Sequence, residues 1–148
     1  MTCGINDIRY KNGFGFIHGD NQNMCRKYLG ENTFYDENIP LIRLSEMYYI
    51  LAESVSLEES VEYINKVRNT RGISRTYDII YGSNYTDVER REALLKEYQK
   101  EFFAEGQFFY FLKRHNYETF YRCPVAKMVY YVFPIPDDEV EFGSMTGE

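Results

Sequence analysis

Glu101 and Glu105, one helical turn apart in EFFAEGQFFYFLKR (residues 101 to 114), are the residues of this chain whose type and spacing come closest to a catalytic pair. Two carboxylates can divide into acid and base when their surroundings push their pKa values apart. Glycosidase carboxylates, however, flank a cleft about 5 to 9.5 Å apart and usually come from different elements. Here both stand on one predicted helix, and Arg43, Arg68 and Arg71 lie upstream as partners. The reading adopted is a pair of structural ion pairs, because a buried carboxylate needs a paired charge. Glu46 and Glu53, seven apart, read the same way. A hydrolase using Glu101 and Glu105 is the enzymatic alternative, and no enzyme is expected.

Other chemistry is weakly written. His18 and His115 have no carboxylate or cysteine at ligand spacing, so no metal site is expected. Cys3, Cys25 and Cys123 are an odd number without CxxC spacing, which signals neither zinc nor a dense disulfide framework and leaves their pairing open. NGFGF at 12 to 16 lacks the third glycine and the strand-to-helix setting of a dinucleotide fingerprint, and GxxxxGK[ST] is absent, so no cofactor is expected. A net charge of −6 with no basic stripe argues against nucleic acid. There is no apolar run near the roughly 18 residues of a membrane span.

Aromatic residues on loops are the remaining candidates, because a ring there faces water and is available to a partner. Phe14 and Phe16 in the first loop, and Tyr77, Tyr81 and Tyr85 in GISRTYDIIYGSN, are candidate ligand-binding residues that could stack on sugar faces or meet a protein. The alternative is that each ring folds back to cover a helix.

The elements that must hold these residues make a mainly α fold. A chain of 148 residues is expected to form a single unit. Residues 1 to 38 are rich in Asn, Gly and Asp and read as loop with short extended pieces. Residues 39 to 72 read as a helical hairpin. Leu44, Met47, Tyr48, Leu51 and Val55 form one apolar helical face, and Pro40 suits the first turn. Ser56 and Glu59 make a capping box for a second helix carrying Val61, Ile64 and Val67 and ended by Gly72. Thr86 and Glu89 make another box, opening a long helix over 86 to 115. In its later half apolar groups point nearly all round, which predicts enclosure by other elements, and Gly106 predicts close backbone approach or a local bend. Residues 124 to 143 read as an extended segment, with at most a short strand at MVYYVF (128 to 133), and a short turn at Asp137 to Val140.

In order, the segments IPLIRLSEMYYILAES, EESVEYINKVRNTRGI, KEYQKEFFAEGQFFYFLKR and YYVFPIPDDEVEFG resemble the carboxy-terminal part of the SusD/RagB family, over about residues 39 to 143. NDIRY and RKYLG resemble, more weakly, what precedes those motifs. The resemblance implies a tetratricopeptide-like hairpin at 40 to 71 and a non-catalytic role in binding glycans or other nutrients for uptake. The implied partners are an oligosaccharide and a SusC-like, TonB-dependent transporter, at the surface of the outer membrane. Arg43, Glu46, Asn65, Arg68, Glu101, Glu105 and Gly106 match recurrent framework positions of the family, with structural roles. Gln107 and Tyr110 stand where many members have Arg and Asp, which implies aromatic packing in place of one polar link. Family members are several times longer and carry an acylated amino-terminal cysteine. Cys3 has no apolar segment before it, so the chain is expected to be the carboxy-terminal portion of a longer protein, with any lipid anchor outside it. A helical protein-protein interaction module without sugar binding is the alternative.

Overall fold

The computed structural model describes residues 6–11, 17–19, 22–24, 41–119, 131–132, 135–136, 139 and 141. The elements are α1 (Ile8–Lys11), β1 (Ile17–Gly19), β2 (Gln22–Met24), α2 (Leu44–Ser54), α3 (Leu57–Thr70), a 3-10 turn (Arg75–Tyr77), α4 (Asp87–Glu101) and α5 (Gln107–Arg114). The protein is mainly α. β1 and β2 pair antiparallel with Ile17 opposite Met24, short extended pieces of the kind expected within residues 1 to 38. Of the strand expected over 128 to 133, only Tyr131 and Val132 are described, and most of the Asp137 to Val140 turn also lies outside the described residues. The chain divides into two compact units, Met1–Phe108 and Phe109–Glu148.

Local chemistry sets the helix ends. The Ser56 side chain accepts from the Glu59 N–H at 3.3 Å while the Glu59 carboxylate accepts from the Ser56 N–H, so two of the orphan donors at the start of α3 are satisfied reciprocally. Thr86 and Glu89 form the same box on α4. At the other end of α3, Gly72 takes φ +85°. The Ile73 N–H then donates to the Arg68 carbonyl at 3.1 Å and the Gly72 N–H to the Asn69 carbonyl at 3.0 Å, the pair of bonds of a Schellman stop.

The core of the first unit lies among α2, α3 and α4, which pack on one another. α3 contributes Val61, Ile64 and Val67, and α4 contributes Leu94 and Tyr98, with Phe102 following it. α2 does not bury the apolar face that its spacing suggests. Leu44, Met47 and Leu51 are exposed, Tyr48 and Val55 are intermediate, and the inward residues are Ser45, Tyr49 and Ala52. Small side chains at 45 and 52 fit a close helix contact, with Tyr49 supplying most of the bulk between them. Its ring meets Tyr98 at 5.3 Å and Phe102 at 6.1 Å, and Tyr98 meets Phe102 at 5.1 Å.

The long helix expected over 86 to 115 is two helices. α4 ends at Glu101, Ala104 adopts φ 60°, and α5 begins after Gly106. The interruption exposes α4's terminal carbonyls to outside donors, and Arg43 takes that role: its Nη2 donates to the Glu101 carbonyl at 2.8 Å. Arg90, in the first turn of α4, does the converse for α2, donating to the Val55 carbonyl at 2.9 Å. The start of each helix thus caps the end of the other, which fixes α2 and α4 antiparallel. The all-round enclosure expected of EFFAEGQFFYFLKR is only partial: Phe102, Phe111 and Leu112 are buried, whereas Phe103 and Tyr110 are exposed.

In the second unit Phe111 stacks on Tyr117 at 6.0 Å and meets His115 at 4.6 Å. Phe109 meets Tyr131 at 5.7 Å and its chain neighbour Tyr110 at 5.7 Å, and Tyr110 stays mostly exposed.

Candidate functional site

Two groups of residues bear on function, a buried charge cluster around α4 and an exposed loop between α3 and α4.

The cluster is built on Glu97 and Glu101, four apart on α4 and so on one face. Glu101 is 3% exposed and meets three guanidinium groups. Arg9 Nη1 lies 3.2 Å from Glu101 Oε2, Arg71 bonds both carboxylate oxygens, and Arg43 Nη1 stands 3.7 Å away. Glu97 receives Arg9 at 3.0 Å, Arg68 at 3.2 Å and Lys100 at 2.5 Å, with the Tyr49 hydroxyl at 3.4 Å. Glu105, beyond the helix break, accepts Arg43 Nη2 at 2.9 Å and 2.8 Å, and the Arg43 guanidinium also lies 4.8 Å over the Phe102 ring. Asp7 pairs with Arg9 at 2.8 Å.

Electrostatics follows this geometry. Burial works to raise the Glu101 carboxyl, but the hydrogen bond and charge of Arg71, with the charge of Arg9, outweigh it and hold the group at about 2. Burial opposes Asp7 in the same way, and Arg9 again prevails, so its carboxyl sits below its ordinary value. The Tyr49 phenol moves the other way, pushed well up by burial and then by the neighbouring Glu97 charge. A carboxylate clamped by guanidinium groups and held near 2 stays ionised near neutral pH, so it neither donates a proton there nor accepts one readily. Acid-base exchange between Glu101 and Glu105 has no support in this geometry.

Among the residues singled out in sequence, Arg43, Glu101 and Glu105 come together, with Gly106 just beyond. Arg68 joins them through Glu97. Asn65 lies elsewhere on α3 and bonds the loop. Glu46 is in the first turn of α2 and Glu53 near its end. Sequence reasoning missed Asp7 and Arg9. Both are buried, Asp7 just before α1 and Arg9 within it, and only the DxR pattern inside NDIRY hints at a local pair.

The loop carries three candidate tyrosines in different states. Tyr77 is 67% exposed and Tyr81 48% exposed, but Tyr85 is only 8% exposed. Tyr81 meets the Tyr85 ring edge-on at 6.5 Å, so the buried ring supports an exposed one. Phe14 and Phe16 lie outside the described residues. Among the described residues no group of three or more His, Cys, Asp or Glu is arranged to hold a metal ion, and no helix is long and apolar enough to cross a membrane.

Residues 20–140 match the SusD family. No curated protein and no solved structure matches the chain.

Proposed function

The chain belongs to the SusD family, and on that premise we propose that it binds glycans or related nutrients for uptake at the outer membrane, without chemistry on them, beside a SusC-like TonB-dependent transporter. The observation that carries the non-catalytic part is the clamping of Glu101 by Arg9 and Arg71, which takes up the carboxylate a hydrolase would need free. The α2–α3 hairpin is read as one tetratricopeptide-like pair of such a protein. Its ligand surface in this chain is assigned to Tyr77 and Tyr81, whose exposed rings offer apolar faces with polar tips to a sugar. Tyr85 is reassigned from ligand contact to support of Tyr81.

Calorimetry of the full-length product against a glycan panel tests the reading. Binding is expected, with a loss of about tenfold for Tyr77→Ala or Tyr81→Ala and no change in melting temperature. Silence toward every glycan would remove the carbohydrate part.

A second reading, a protein-interaction module, draws on a specific surface. Leu41, Ile42, Leu44, Met47, Ile50 and Leu51 are all exposed along and just before α2, and contiguous apolar patches of this kind mark interaction faces. Co-purification from membranes separates the two: a transporter partner without glycan affinity favours the second.

A further inference from the structure

Three side chains on one face of α3 grip three consecutive residues of the tyrosine loop. Asn65 Nδ2 donates to the Ile79 carbonyl at 2.8 Å, and the Ile79 N–H donates back to Asn65 Oδ1 at 2.9 Å. Arg68 Nη2 donates to the Tyr77 carbonyl at 2.7 Å, and Asn69 Nδ2 reaches Asp78 Oδ2 at 3.4 Å. Positions 65, 68 and 69 follow the i, i+3, i+4 spacing that puts residues on one helix face.

The Asn65 amide satisfies both main-chain groups of Ile79, as a neighbouring strand would. A segment without a sheet partner thereby obtains the hydrogen bonds that its backbone requires. The loop is fixed at its ends as well. The Ser74 side chain caps the 3-10 turn by accepting from the Thr76 N–H at 3.4 Å, and buried Tyr85 anchors the approach to α4. Yet Tyr77, Ile80 and Tyr81 all remain exposed. A loop folded back merely to cover α3 would bury its large side chains and leave its main chain to water. This one has its main chain held at Tyr77 and Ile79 while Tyr77, Ile80 and Tyr81 point outward, which is the arrangement of a presented surface.

We propose that Asn65, Arg68 and Asn69 are positioning residues for ligand binding: Asn65 and Arg68 hold the main chain of Ile79 and Tyr77, and Asn69 the Asp78 carboxylate, so that Tyr77 and Tyr81 stand ready before the ligand arrives. The inference rests on the reading above that these two tyrosines meet the ligand. Affinity then depends on side chains that never touch it, because a loop already ordered does not lose its freedom on binding. Arg68 also ties the loop to the buried cluster, since its Nη1 lies 3.2 Å from Glu97.

The test uses the full-length protein and has two readouts. Hydrogen exchange without ligand comes first: Asn65→Ala should speed exchange of the Ile79 amide by about tenfold or more while the amides of α3 and α4 keep their protection. Unchanged exchange at Ile79 overturns the proposal. Affinity for a glycan found in the panel comes second, for Asn65→Ala, Tyr77→Ala and the double variant. If Asn65 acts through the loop, the double variant loses less affinity than the product of the two single losses; losses that multiply in full overturn it. Tyrosine variants that bind less well beside an Asn65→Ala that binds normally sink the positioning role alone. Normal binding by both tyrosine variants sinks the site itself and the positioning role with it. Asn65→Leu, which keeps a similar volume and removes both hydrogen bonds to Ile79, replaces Asn65→Ala if the latter fails to fold.

Discussion

The Arg9 guanidinium lies 3.2 Å from the carboxylate of Glu101, 92 residues further along the chain, while still bonding Asp7 two residues away. One cation thus serves Asp7, Glu97 and Glu101, all of them buried. Replacing it by a neutral side chain of similar length leaves three carboxylates short of a partner. Arg9→Met is therefore expected to cost about 3 to 5 kcal/mol, the range for breaking a buried pair from one side. Urea denaturation measures it, and a loss below about 1 kcal/mol would show that Arg9 is not part of the core.

Stability should fall in acid over a defined window. Glu101 has its folded pKa lowered from 4.5 to about 2. A depressed carboxyl contributes stability that is fully present above its unfolded value and is lost as pH falls through the folded one, here between roughly 4.5 and 2. The amount is on the order of 3 kcal/mol, and the lowering at Asp7 acts in the same direction. Urea midpoints measured from pH 7 down to 2 should decline below about 4.5; a flat profile contradicts the clamped carboxylate.

Gly72 and Gly82 should respond oppositely to the same substitution. A Cβ on Gly72 would stand 2.6 Å from the Asn6 carbonyl oxygen, at φ +85°. Gly72→Ala is expected to cost at least about 1 to 2 kcal/mol for the left-handed backbone, with further loss as residue 6 is pushed off. Gly82 has nothing within 4 Å of its added Cβ, so Gly82→Ala should change stability by less than about 0.5 kcal/mol. Thermal melts of the pair make the comparison, and equal shifts would refute it.

Ala104 holds φ 60° at the break between α4 and α5 and is exposed. Ala104→Gly removes the steric cost of that conformation and should raise stability by about 0.5 to 1 kcal/mol. A lower midpoint on denaturation would argue that the break is not preserved.

What could be read from the sequence was mostly what is local. Ser56 with Glu59, Thr86 with Glu89, and Gly72 each act within a few residues, so their types and spacing were enough to mark three helix ends. That α2 is a helix was legible from its period, but its buried face was not. Packing here uses Ser45, Tyr49 and Ala52, and the apolar stripe that dominates the pattern faces outward. Of the end of α4 only Gly106, read as a possible local bend, gave a sign, since Ala104 carries no mark of a left-handed residue and the Arg43 that caps the break is distant in sequence. The charge cluster shows the limit most sharply. Arg43, Arg68 and Arg71 could be named as candidate partners without ranking, whereas nothing around Asp7 and Arg9 announces burial.

The reach of Arg9 also bears on the order in which the protein assembles. The α2–α3 hairpin, its capping box and its Schellman stop involve near neighbours, and such contacts form before a long loop closes. Bringing residue 9 to residue 101 needs α4 to be in place and pays a larger closure entropy. Its ion pairs should be missing from the transition state, so Arg9→Met should speed unfolding while leaving refolding nearly as fast, a split that stopped-flow kinetics reads directly. The amino-terminal segment would then govern how long the folded first unit lasts rather than how quickly it forms.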